Sequence, residues 1–146
     1  NEYQRTVMFR KIRDHFNGDI ANRMIGIWGL SFKPKTDDIR ESSSIFLIRM
    51  LLDNNVRIKV YDPVAMNETG KLFGNSISYS DDQYDAITGT DAMAIMTEWS
   101  EFQLPDFERM GTLMKSRTIF DGRNIYNPDE LRQMGFTYYG IGRKLK

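Results

Sequence analysis

Apolar positions along the chain pass from a helical period to short blocks, each followed by a periodic stretch. In the opening segment, NEYQRTVMFRKIRDHF, Tyr3, Val7, Met8, Ile12, His15 and Phe16 fall on one stripe at helical spacing, and Asn-Gly-Asp at 17–19 ends it. Beyond it, the runs RMIGIW (23–28), VRIKVYD (56–62), SISYS (76–80), AMAIMT (92–97), RTIFD (117–121) and FTYYGI (136–141) read as short strands. Helix-like pieces lie between them at 42–54, 63–74, 80–88, 106–116 and 128–135, with Pro63 and Pro128 in first turns. Parallel neighbours need crossover connections, so this alternation predicts an α/β fold: a Rossmann-like, doubly wound parallel sheet of about six strands with helices on both faces. No internal repeat or low-complexity tract interrupts it.

Composition narrows the function classes. With 146 residues, 40% of them hydrophobic, the chain is long enough for one core that buries roughly two-thirds of the unfolded surface. Twenty Lys and Arg balance twenty Asp and Glu, leaving no overall field for a nucleic acid backbone or an anionic membrane. An anion must therefore be held by a local cluster. Zero cysteines exclude a disulfide framework, a zinc ribbon and a thiol nucleophile. With no signal-like or long apolar segment, the expectation is a cytoplasmic protein without a membrane partner. SDDQYD at 80–85 lacks the spacing of a calcium loop and reads as an acidic helix start, so no metal site is expected. His15, the only histidine, has no acidic or thiol partner nearby and reads as packing.

The local cluster is GIWGLSFKPKTDDIRES, residues 26–42, where two glycines follow the first strand and Lys33, Lys35 and Arg40 surround a helix start. Cations beside a helix N-terminus are disfavoured by roughly 0.3–1 kcal/mol each, which points to an anion docking there. Ligands of open α/β sheets also sit beyond the carboxyl ends of the strands, at the switch point of the strand order. The stretch is not a standard dinucleotide fingerprint, since Phe32 stands where a third glycine would be. Two readings stay open. Gly26 and Gly29 either shape a phosphate cradle, with Ser42 or Ser43 capping the helix, or merely permit a tight turn and close packing. Likewise Lys33, Lys35 and Arg40 either meet an anion or neutralise Asp37, Asp38 and Glu41 in a solvated loop. Asp62, before Pro63, reads as a helix N-cap ahead of a ribose ligand.

Four blocks in order, GLSFKPKTDDIRESSS (29–44), VYDP (60–63), TEWSEF (97–102) and IFDGRNIY (119–126), resemble the C-terminal, UDP-binding domain of the UDP-glucose/GDP-mannose dehydrogenase family. The resemblance runs from about residue 1 to 142, and TEW with DGRN is closer to UDP-glucose 6-dehydrogenases than to the GDP-mannose and UDP-N-acetylmannosamine relatives. It implies oxidation of the C6 hydroxyl of UDP-glucose to a carboxylate in two NAD-dependent steps, through a thiol-bound intermediate. The catalytic cysteine, the assisting lysine and the NAD fingerprint would lie outside this chain, so no catalytic residue is assigned here. The implied organisation is the end of an inter-domain helix at 1–20 and the UDP-sugar-binding domain at 21–146, a fragment inactive by itself.

By the same resemblance, Phe32 and Lys33 meet the UDP moiety, Arg123 helps hold the nucleotide sugar, and Arg40 contacts NAD carried mainly by the other domain. For Phe32 a buried anchor under the loop remains the alternative, for Arg40 a surface pair with Asp37 or Asp38, and for Asp121 a turn-forming role instead of orienting Arg123. Glu98 and Trp99 are left unassigned. The implied partners are UDP-glucose or UDP and further copies of the same enzyme. An unpartnered first helix, with Tyr3, Val7 and Met8 exposed, would suit a truncated domain. The alternatives are the same domain from a relative using UDP-N-acetylmannosamine or GDP-mannose, or a stand-alone nucleotide-binding regulatory module.

Overall fold

Six strands, β1 (Met24–Trp28), β2 (Arg57–Tyr61), β3 (Ser78–Tyr79), β4 (Ala92–Ile95), β5 (Thr118–Asp121) and β6 (Thr137–Gly140), pair in parallel in the order β3-β2-β1-β4-β5-β6. This computed structural model describes residues 2–142, with side chains from residue 5 onward. The Tyr3 side chain and residues 143–146 lie outside the described residues. The helices are α1 (Glu2–His15), α2 (Ser43–Asp53), α3 (Met66–Phe73), α4 (Ser100–Gln103), α5 (Phe107–Leu113) and α6 (Pro128–Gln133). The order reverses between β1 and β4, which fixes the switch point at the centre of the sheet.

Alternation along the strands feeds two apolar layers. Ile25 and Ile27 of β1, Ala92 and Ala94 of β4 and Phe120 of β5 join Leu47, Ile48 and Leu51 of α2 on one face. Trp28, Met93, Ile95 and Ile119 pack on the other with Phe102, Met110 and Leu131 of α4, α5 and α6. The helix ends are sealed by side chains: Ser42 accepts from Ser44 N–H, Asp106 from Arg109 N–H, and Asn127 from Asp129 and Glu130 N–H.

Three expectations fail. Pro63 lies ahead of the first turn of α3, which starts at Met66 after Ala65. The stretch 80–88 forms only a single 3₁₀ turn at Asp85–Ile87. Asp82 caps it by accepting from Tyr84 and Asp85 N–H, and Ala86 and Ile87 are fully buried. This turn presses on β1 so closely that a Cβ at Gly26 would lie 2.5 Å from the Ala86 carbonyl oxygen, leaving no room for a full helix. Nor is α1 an unpartnered helix. Met8 and Ile12 are 3% and 0% exposed and belong to the first core layer, with Phe9 and Phe16 against it. His15 closes that end, its Nδ1 2.8 Å from the Tyr139 hydroxyl and its ring edge-on to Phe120. The short α4 was not foreseen.

Candidate functional site

The loop from β1 to α2 has a buried root and an exposed tip. At the root, three successive carbonyls receive buried hydroxyls: Ser44 donates to Gly29, Ser42 to Leu30 and Thr97 to Ser31, each at 2.6 Å. The Leu30 N–H donates to Asp62, whose other oxygen accepts from Val64 and Ala65 N–H and caps the turn into α3. Gly29 has φ +96°, and a Cβ there would lie 2.5 Å from Thr97, so backbone shape and close approach both require glycine. The Ser42-Ser43-Ser44 run thus splits by direction: Ser42 and Ser44 are buried as fasteners and Ser43 is exposed.

The tip carries the predicted cations. Phe32 is 41% exposed, which overturns the buried-anchor alternative, and the Lys33 ammonium sits 5.3 Å from its ring centroid. Arg40 forks onto Asp38, with Nε and Nη2 donating at 3.0 and 2.8 Å, while its side chain stays 86% exposed. That fork, with the Arg40 N–H added, pulls the Asp38 carboxyl down to about 2. The surface-pair alternative for Arg40 is therefore realised in this structure. Phe32, Asp38, Arg40 and Glu41 line one open depression.

Arg123 stands apart from that trio, after β5. Asp121, fully buried, accepts from the Arg123, Ile125 and Tyr126 N–H groups and from the Tyr138 hydroxyl, so it shapes the turn and orients the backbone of Arg123. The guanidinium is held by Glu98, with Nε and Nη2 donating to Oε2 at 3.2 and 2.8 Å. Burial pushes the Glu98 carboxyl up, but the Arg123 hydrogen bonds, its own backbone amide and the Arg123 charge outweigh this and leave it below its ordinary value. Thr97 is fastened to Ser31 and the next residue holds Arg123, so the loops after β1, β4 and β5 meet at the switch point. A pocket of about 190 Å³ opens there, lined by Ser43, Met96, Gly122 and Arg123 together with Arg5 and Met8 of α1. Among the described residues, no cluster of His, Asp and Glu could hold a metal ion.

The model of the UDP-glucose/GDP-mannose dehydrogenase family, UDP binding domain, matches residues 26–128, the stretch containing both loops. The chain belongs to that family. It is 36% identical to a UDP-glucose 6-dehydrogenase of Pseudomonas aeruginosa and 40% identical to one of Rhizobium meliloti, each over 98% of this chain. It spans about a third of these relatives' length, 33% and 32%. Among solved structures it superposes on a UDP-glucose dehydrogenase from the hyperthermophilic archaeon Pyrobaculum islandicum with a TM-score of 0.82 at 28% identity, covering 99% of this chain and 31% of that one. A UDP-D-ManNAc dehydrogenase from Pyrococcus horikoshii gives 0.73 at 26% identity, covering 95% of this chain and 30% of that one.

Within this family domain, sequence reasoning placed Phe32, Lys33, Arg40 and Arg123 at the carboxyl edge of the sheet, but not their division into a tip and a separate arginine. It left Glu98 unassigned, although TEW and DGRN stood out together. Trp99 is half-buried against the second core layer, with its indole N–H unpaired among the described residues. Ser43 carried a signal only as an alternative helix cap to Ser42, and Arg5 carried no local signal; only packing of α1 against α2 and β5 brings Arg5 to the pocket.

Proposed function

We propose that this chain is the UDP-sugar-binding domain of an NAD-dependent UDP-glucose 6-dehydrogenase, with residues 1–20 the end of the inter-domain helix and 21–146 the domain itself. The observation that carries this reading is the geometry of the switch point. A rigid root presents the exposed Phe32 and Lys33 on one side, and Glu98 holds the Arg123 fork on the other. Phe32 offers a face to the uridine, Lys33 three donors as a point charge, and Arg123 a planar fork to phosphate oxygens.

NAD, carried mainly by a domain outside this chain, supplies the hydride acceptor. Arg40 is this chain's contribution to it. Its donor set suits a pyrophosphate, and a guanidinium 86% exposed can exchange its Asp38 partner for one, because an exposed, solvent-screened ion pair contributes little. With no cysteine in its sequence, the chain binds the substrate without oxidising it. The whole enzyme works in the cytoplasm as a homo-oligomer on UDP-glucose. No helix among the described residues is long and apolar enough to cross a membrane.

Isothermal titration of this chain with UDP, UDP-glucose, UDP-N-acetylmannosamine, GDP and NAD, repeated with Arg123→Ala, tests the reading. Saturable binding of UDP over GDP, lost in the variant, supports it. The expected affinity is weak, because a two-domain cleft shares its contacts and only one half is preorganised here. Equal binding of UDP and GDP, or unchanged UDP affinity in the variant, would overturn it. Stronger binding of UDP-N-acetylmannosamine than of UDP-glucose would move the chain to the branch represented by the Pyrococcus horikoshii enzyme.

A further inference from the structure

The switch-point pocket brings a second arginine beside Arg123. Arg5, one turn before the buried Met8 on α1, lines it together with Arg123 and the outward-facing Ser43, the first residue of α2. Elements far apart in sequence thus bring two guanidinium groups and a helix N-terminus to one cavity of about 190 Å³. Each arginine is held by a carboxylate that is not part of the lining. The Nη2 of Arg5 donates to Glu41, and the Nε and Nη2 of Arg123 donate to Glu98. The Arg5 guanidinium also lies over the Phe46 ring, 4.3 Å from its centroid. Among the described residues, Nε and Nη1 of Arg5 and Nη1 of Arg123 have no hydrogen-bond acceptor.

Two oriented forks with spare N–H groups, a hydroxyl and a helix N-terminus form a donor set for a doubly charged oxyanion. The Glu41 side chain is 76% exposed, so its hold on Arg5 is the weak kind that a phosphate can outcompete. We infer that Arg5 is the second cation of the ligand site, so that Arg5 and Arg123 together grip the diphosphate of a nucleoside diphosphate. This rests on the reading that Arg123 meets the nucleotide. Because Arg5 sits on α1 and Glu41 beside Arg40, the ligand would exchange a contact between helix and loop for one of its own.

The test compares UDP and uridine, which lacks the phosphates, by titration of the parent chain and of Arg5→Ala, Arg5→Lys, Glu41→Gln and Arg123→Ala. Charge-assisted hydrogen bonds of this kind lead us to expect about tenfold or greater loss of UDP affinity in Arg5→Ala, partial recovery in Arg5→Lys, and uridine binding unaltered. Glu41→Gln breaks the ion pair but keeps Arg5, so it should bind UDP at least as tightly as the parent. Arg5→Ala matching the parent while Arg123→Ala is weakened would overturn this inference alone. So would equal weakening in Arg5→Ala and Glu41→Gln, which would make Arg5 a tie between α1 and the loop, or loss of uridine binding in Arg5→Ala. No UDP binding by the parent, or none lost in Arg123→Ala, would overturn the underlying reading and this inference with it.

Discussion

Asp121 and Lys33 both stand at the carboxyl edge of the sheet, yet one points into the protein and the other away from it. Asp121 is 0% exposed and accepts four hydrogen bonds; Asp62, its counterpart after β2, is 0% exposed and accepts three. Lys33 and Arg40 are exposed, with an aromatic face and one carboxylate for company. The difference separates scaffold from recognition. A buried carboxylate is tied to its donors and holds loops in shape, whereas an exposed cation contributes little to folding and is available to a ligand.

The largest test of that contrast is Asp121→Ala, which takes the acceptor from the buried Tyr126 N–H, from the partly buried Arg123 and Ile125 N–H groups, and from the Tyr138 hydroxyl, which keeps the Tyr126 carbonyl at 3.4 Å. It should cost about 3–5 kcal/mol in urea unfolding. A loss below ~1 kcal/mol would erase the distinction between root and tip. Gly29→Ala comes next. With φ +96° and a Cβ 2.5 Å from Thr97, the root must shift, and about 2–3 kcal/mol should be lost in the same assay.

Lys33→Ala should leave stability within ~0.5 kcal/mol while weakening UDP binding severalfold, measured by titration. Unchanged affinity would remove Lys33 from the site. The smallest effect concerns Asp38. Its folded pKa, about 2, lies below the ordinary 3.8, so its stabilising contribution is complete above the ordinary value and disappears as pH falls through about 2. Thermal unfolding of the parent and Asp38→Asn should therefore differ slightly near neutrality and converge toward pH 2. A large difference at neutral pH would make the tip part of the scaffold.

Much of the fold was legible because the central strands β1, β4 and β5, buried on both faces, write their signal in consecutive residues, while β2 and β6 write theirs by alternation. All six predicted runs contain the observed strands, and their alternation with helices implied the parallel order. The segment at 80–88 misled because Asp81, Asp82 and Asp85 look like a helix start, while the limit on its length is the close approach of Ala86 to Gly26 from another element. The fate of the α1 stripe was equally hidden. Periodicity shows that Met8 and Ile12 need a partner, but not that α2 and β5 already provide one.

The candidate site divides in the same way. The residue types around Gly29, Phe32, Lys33, Arg40 and Arg123 named the chemistry, since glycine backbone freedom, a point charge and planar forks are properties of single residues. Which of the three serines turns outward, that Glu98 grips Arg123, and that Arg5 comes round to the same pocket are properties of distance between elements. The sequence by itself determined the strands, the helices and the presence of an anion-seeking loop, because local periodicity and charge encode them. Only the tertiary structure decided which charges are spent on the scaffold and which remain for a ligand, because that depends on how much water and which donors packing leaves around each group.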